Sequence, residues 1–306
     1  MSLALLFPGQ GTQHPDMLRW LDDEPAAAAS LAQMAALIGA DWRARLADPA
    51  WAGANENAQC LLTGLGVAAW QCLAPGLPPP AIVAGCSVGE LAAFCAAGVF
   101  DAATALALAA LRAQAMQASV AGLETGLLAV QGLAPEALGD IAARHGLVLA
   151  IRLGPGRAVL GGPAASLGTV APALEAAGGR CHRLAVALAS HTPWMAAAAA
   201  AFARQLEDRA FAAPRCALVT SHGGTVRRRP DELKRALAAQ IDHPLPWDRC
   251  LDAIAERRVR CVLELGPGST LARLWAERHP AVPARSIDEF RSAAAVRRWV
   301  HGVLAT

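Results

Sequence analysis

A chain of 306 residues can bury one large core with room for a smaller inserted unit, and a net charge of +2 excludes a general nucleic-acid surface. A single lysine, Lys234, stands against 26 arginines, so most arginines carry no special meaning. The eight cysteines (60, 72, 86, 95, 181, 216, 250 and 261) form no C-x-x-C pair; they read as free thiols of a reducing compartment, and no metal site is expected.

The N-terminal run Leu3 to Phe7 has no positive flank and meets Pro8-Gly9 at once, so it reads as a strand and not a signal sequence. A glycine loop, Phe7 to Gln13, follows, and helical patterns are predicted at 25–39 and 57–74. Uncharged stretches such as 58–89 are interrupted by glycines and by Pro78-Pro79-Pro80, so no membrane span is expected and the protein is placed in the cytoplasm. Ala81 to Ala84 reads as a buried strand, and Val88 to Phe100 as a helix. Asp101 is the predicted N-cap of a helix reaching about Ser119.

From Gly122 short apolar runs at 126–131, 147–153, 157–161 and 181–188 alternate with helical patterns at 135–145 and 164–178. That βαββαβ order is that of a ferredoxin-like unit. Helices at 193–209 and 231–240, a strand at 259–265 and further helices complete the chain. Alternation of strands with helices predicts an α/β fold with a largely parallel sheet. The expected division is a large catalytic domain from 1–121 and 188–306, with a small domain at 122–187.

Gly85-Cys86-Ser87-Val88-Gly89-Glu90 is the most informative segment. A serine between glycines at a strand-to-helix corner is a nucleophile elbow, with the new helix aiming its N–H groups at the space where an oxyanion forms. Ser87-x-x-Glu90 also fits a capping box, which explains the serine and the glutamate but not both glycines. His191, just before the helix opened by Pro193, is the candidate base, with a surface turn histidine as the plain alternative. Arg112 is the one charge between Asp101 and Glu124; its guanidinium either reaches water or faces a polar pocket suited to a carboxylate. Basic runs at Arg227-Arg228-Arg229 and at Arg257, Arg258 and Arg260 are candidate docking sites for an acidic partner.

Phe7 to Gln13, Gly85 to Glu90, Arg112, Ser190-His191, Gln240-x-x-x-Pro244-x-x-Trp247 and Glu264 to Gly268, taken in order, resemble the malonyl-CoA:acyl-carrier-protein transacylase family. The resemblance implies an α/β-hydrolase-like large domain with an inserted ferredoxin-like domain and a ping-pong transfer of malonyl from malonyl-CoA to the carrier's prosthetic thiol. No cofactor of the protein's own is implied. Ser87 would be acylated, His191 would take its proton, and the N–H groups of Gln10 and Val88 would form the oxyanion hole. Arg112 would pair with the malonyl carboxylate. Gln240 would orient His191 through its backbone carbonyl, leaving Asp242 a bystander, and Gln59 would line the pocket.

Cys86 stands where fatty-acid enzymes of the family usually have histidine, and Ser190 is small. The Gly9 to Pro15 start, Cys86 and Ser190-His191-Thr192-Pro193-Trp194 most resemble the malonate decarboxylase epsilon subunit, which implies other subunits of that enzyme as partners. The alternatives are the transacylase of fatty-acid synthesis, a serine thioesterase or esterase, and a non-catalytic carrier-binding scaffold. A thioesterase would place its histidine late, yet His279 and His301 have no convincing setting and Arg112 would have no purpose.

Overall fold

In Leu3–Phe7 alternate side chains point to opposite faces, and both faces are buried, so the strand is apolar throughout. The computed structural model describes residues 2–120 and 122–305; the domain boundary expected at residue 121 thus falls beside a residue outside them. The described strands are β1 (Leu3–Phe7), β2 (Ile82–Gly85), β3 (Thr125–Gln131), β4 (Val148–Gly154), β5 (Arg157–Pro163) and β6 (Arg180–Arg183). They continue with β7 (Ala217–Thr220), β8 (Thr225–Arg227), β9 (Leu245–Pro246), β10 (Cys261–Glu264) and β11 (Ala284–Ser286).

One sheet has the order β11-β10-β1-β2-β7-β8, parallel except for the antiparallel edge pair β7–β8. Leu3, Leu5, Phe7, Val83, Leu218 and Leu263 pack on one face against the helices Ala28–Ile38, Asn55–Leu73, Gly89–Ala96, Ala102–Ser119 and Ala196–Glu207. Ala4, Leu6, Ile82, Ala84, Val219 and Val262 pack on the other against Trp247, Leu251 and Trp275, from the helices Trp247–Ala255 and Thr270–Arg278.

The second sheet has the order β6-β3-β5-β4-β9. Its first four strands follow the βαββαβ chain order expected for 122–187. The fifth, β9, comes from beyond that range and pairs parallel with β4 at Ile151–Leu245. The sheet is therefore joined by backbone hydrogen bonds to the segment that follows Gln240. Further departures are local. The helix expected at 164–178 is two short pieces, Ala164–Thr169 and Ala171–Ala176, and the strand expected at 181–188 stops at Arg183. The short strands β7, β8 and β11 lie outside the predicted set; four residues, Ala217 to Thr220, are too few to show a period.

Candidate active site

The elbow forms where β2 ends, level with the end of β1, through the pairing Phe7–Gly85. Ser87 has φ 55°, a left-handed conformation that a non-glycine residue adopts only when its surroundings impose it. Both flanking glycines are sterically obligatory. A Cβ on Gly85 would lie 2.2 Å from the Gly89 carbonyl carbon, and one on Gly89 would lie 2.3 Å from the Phe7 oxygen. The elbow helix begins at Gly89, its N-cap is Val88, and no side chain caps it, so Ser87 is not a capping residue. Asp101, by contrast, caps the next helix by accepting from the Thr104 N–H at 2.8 Å.

His191 also carries a positive φ, 66°, and its N–H donates to the Ile241 carbonyl at 2.7 Å. Its Nδ1 meets the Gln240 backbone carbonyl, and its Nε2 lies 2.9 Å from Ser87 Oγ. The carbonyl can only accept, so Nδ1 carries the proton and Nε2 is free to accept from the serine hydroxyl. Burial, with the nearby Arg112 charge adding to it, pushes the His191 pKa down to about 3 against the opposing bond from Gln240. The imidazole is neutral at ordinary pH. Asp242 turns away and pairs with His243 at 2.7 Å.

Arg112 does not reach water. It is 0% exposed in a helix packed between Asn55–Leu73 and Ala196–Glu207. Its Nη1 donates to Gln59 Oε1 at 2.7 Å, and its Nη2 to Ser87 Oγ at 3.3 Å and Gln240 Oε1 at 3.2 Å. Burial lowers its pKa to about 10, which still leaves it cationic at neutral pH. Among the described residues it enters no ion pair. The acidic neighbour Glu90, fully buried, is pushed up to about 8 by burial, so it is mostly protonated at neutral pH and offers little counter-charge. A buried cation held only by neutral acceptors is costly, and an incoming carboxylate relieves that cost.

Ser87, His191, Ser190 and the Pro8 to Thr12 loop line a cleft of about 580 Å³ whose far wall is Leu127, Ala129, Ile151 and Val159 of the second sheet. The active groups thus sit at the carboxyl ends of the parallel strands, facing the small sheet. Gln10 lines the same cleft as Ser87, and Val88 follows Ser87 in the chain as the N-cap of the elbow helix. The Gly9 backbone comes so close that a Cβ there would be 3.5 Å from Ser87 Cβ. Arg112, Gln59 and Gln240 lie behind Ser87, outside the cleft wall. Cys86 packs into the opposite core with Trp247 and Cys250, and burial pushes its thiol up to about 12, so it stays a protonated thiol at neutral pH.

Two supporting residues were not singled out from the sequence. Gln13 clamps the glycine loop: its Oε1 accepts from the N–H groups of Gly11 at 2.7 Å and Thr12 at 3.0 Å, while its Nε2 donates to the Ala52 carbonyl at 2.9 Å. Ser221, just past β7, ties down the elbow helix by donating its N–H to Glu90 Oε1 at 2.5 Å. Gln13 was visible as a polar residue after two glycines. Ser221 had no signal, because it depends on β7.

The basic runs expected to dock a partner lie elsewhere. Arg257, Arg258 and Arg260 precede β10, whose start is level with the start of β1, at the opposite end of the sheet from Ser87. Arg228 and Arg229 follow β8, which runs antiparallel toward the start of β7; Arg227 donates to Thr220 and Arg229 pairs with Asp231. The guanidiniums near the cleft are Arg183 and Arg273 in its lining and Arg157, Arg180 and Arg273 in an adjoining cavity of about 520 Å³. The two spaces share Ala129, Leu153, His182, Thr270, Arg273 and Leu274.

The acyl transferase domain family matches residues 4–277. The chain is 33% identical to the malonyl CoA-acyl carrier protein transacylase of Mycobacterium tuberculosis, over 93% of this chain and 96% of that one. It is 30% identical to the protein of that name from Escherichia coli K12, over 95% and 97%. The crystal structure of the malonyl-CoA:acyl carrier protein transacylase from Xanthomonas oryzae superposes with a TM-score of 0.90 at 30% identity, covering 99% of both chains. A malonyl-transacylase solved in complex with its type II PKS acyl-carrier protein superposes with a TM-score of 0.90 at 26% identity over the full length of both. The chain therefore belongs to the malonyl-CoA:acyl carrier protein transacylase family of acyl transferases.

Proposed function

We propose that this protein moves a malonyl group from malonyl-CoA to the phosphopantetheine thiol of an acyl carrier protein. The observation that carries this reading is the Ser87 hydroxyl, bonded on one side by a neutral His191 and on the other by a buried guanidinium that lacks a counter-ion. Ser87 Oγ attacks the thioester carbonyl as its proton passes to His191 Nε2. The resulting oxyanion is met by the N–H groups of Gln10 and Val88. When the tetrahedral adduct collapses, the CoA sulfur leaves with the proton from His191, and Ser87 holds malonate as an ester. The carrier thiol then gives its proton to His191 and attacks the ester, and Ser87 Oγ leaves by taking that proton back from His191 Nε2.

Burial is the larger cause of the low His191 pKa, and the Arg112 charge lowers it further. A malonyl carboxylate paired with Arg112 cancels that field, so the correct substrate strengthens its own base. Acetyl-CoA offers no such relief.

The carrier and CoA are read as entering along the joined cavities, with Arg180 and Arg273 available to their phosphates, while Arg157 is already paired with Glu277. The relatives at about 30% identity are transacylases that use an acyl carrier protein, and they favour the role in fatty-acid synthesis. The second reading, priming of a malonate decarboxylase, is supported by Cys86 and the Ser190 to Trp194 segment. Incubation with malonyl-CoA alone should place one malonyl group on the peptide containing Ser87, and Ser87→Ala should carry none. Transfer from that intermediate to a fatty-acid carrier and to a malonate-decarboxylase carrier, compared at equal concentration, decides between the two roles.

A further inference from the structure

The two buried glutamines beside Arg112 are not equivalent. Gln59 is fully used: its Oε1 accepts from Arg112, and its Nε2 donates to Asn55 Oδ1 at 2.7 Å and faces Met116 Sδ at 3.3 Å. It holds the guanidinium and has no donor left to offer a carboxylate. Gln240 is used on one side only. Its Oε1 accepts from Arg112 Nη2 at 3.2 Å, and this contact fixes which end of the amide is oxygen. Among the described residues its Nε2, fully buried, has no partner, and neither has Arg112 Nε. Two adjacent side chains that touch each other, and that reach Ser87 through Arg112, thus each keep a buried donor idle. Buried donors are almost always paired, so a pair of idle ones next to a nucleophile marks the place of an absent acceptor.

We propose that Gln240 is a specificity-determining residue whose carboxamide Nε2 is the second donor, beside Arg112, to the free carboxylate of the acyl group. This rests on the malonyl-transfer reading and deepens it. A carboxylate has two oxygens and about four lone-pair sites, so it can accept from both Nε and Nη2 of the guanidinium and from the amide as well. As it enters, Arg112 Nη2 gives up the Ser87 hydroxyl and leaves it to His191. The same residue holds the base through its backbone carbonyl, so one residue ties carboxylate recognition to the base. The side-chain function and the backbone function are separable by substitution, because every residue at 240 keeps the carbonyl.

The test is acylation of Ser87 by malonyl-CoA and by acetyl-CoA, followed by rapid quench and mass spectrometry, in Gln240→Met and Gln240→Glu. Loss of one charge-assisted donor should lower malonyl kcat/KM by about 10- to 100-fold in Gln240→Met and change acetyl kcat/KM by less than about 3-fold. The acid limb of the pH profile should stay in place, since the carbonyl on His191 remains. In Gln240→Glu the new carboxylate occupies Arg112, so malonyl loading should fall further while acetyl loading holds or rises. Retained acetyl loading also shows that each variant is folded. Equal losses for the two thioesters, or unchanged malonyl loading in Gln240→Met, overturn the assignment. A native enzyme that malonyl-CoA does not acylate overturns the malonyl-transfer reading itself, a result distinguishable from either.

Discussion

Replacing Arg112 by methionine separates what the guanidinium does for the substrate from what it does to the base. Methionine keeps an unbranched apolar stem in a helix position that is fully buried, so the packing between Asn55–Leu73 and Ala196–Glu207 is largely preserved. Two charge-assisted hydrogen bonds to a carboxylate are lost, at roughly 1.5–3 kcal/mol each, or about 3–6 kcal/mol together. At 1.4 kcal/mol per decade, malonyl kcat/KM should fall by about 10²- to 10⁴-fold. Acetyl transfer should hold or improve, because the same change removes a positive charge that depresses His191. The sign follows directly. Burial alone still lowers the histidine, but without Arg112 it lowers it less, so the acid limb of acetyl kcat/KM should move upward from about pH 3. Stability should change little: relief of an unpaired buried charge offsets the orphaned oxygens of Gln59 and Gln240, which cost about 1–3 kcal/mol each. Stopped-flow loading with both thioesters between pH 2.5 and 8, beside a thermal melt, reads all three quantities. Equal losses of malonyl and acetyl transfer with an unmoved acid limb would refute the reasoning and make Arg112 purely structural.

Gly89→Ala should cost both stability and activity, since its Cβ would lie 2.3 Å from the Phe7 carbonyl oxygen; a melt and acylation indistinguishable from the native protein would contradict the steric account of the elbow. Glu90 is protonated in the fold up to about pH 8 but ionises in the unfolded chain in the usual carboxylate range. The folded state therefore holds the extra proton, and this contribution to stability is fully present below about 4.5 and is lost as pH rises from there through about 8; Glu90→Gln should flatten the slope across that window in denaturant titrations, and an unchanged slope counts against it. Arg180→Ser combined with Arg273→Ser should weaken transfer to the carrier and reduce its salt dependence, whereas Arg257→Ser with Arg258→Ser should not. The reverse result would move the docking face to the other end of the sheet.

The local devices were legible in the sequence, because each is encoded within a few residues of chain. A serine between two glycines after an apolar run can hardly be anything but a tight strand-to-helix corner, and the Cβ clashes at both glycines show why. The Asp101 cap and the lone charge of Arg112 were equally local signals. What Arg112 does was not local. Water and a polar pocket were both open until the helix was seen packed on both sides, with partners 25, 53 and 128 residues away at Ser87, Gln59 and Gln240. The order of the parallel strands sets those separations, and nothing in a four-residue strand such as β7 reveals its neighbours. Sheet order likewise decided which arginines lie beside the cleft. The runs conspicuous in the sequence lie toward the starts of the strands, while Arg157, Arg180 and Arg273, scattered along the chain, meet beside the cleft. Sequence by itself determined the tight strand-to-helix corner that carries Ser87; only tertiary structure decided which distant side chains surround it, because spatial neighbours across a sheet need share nothing along the chain.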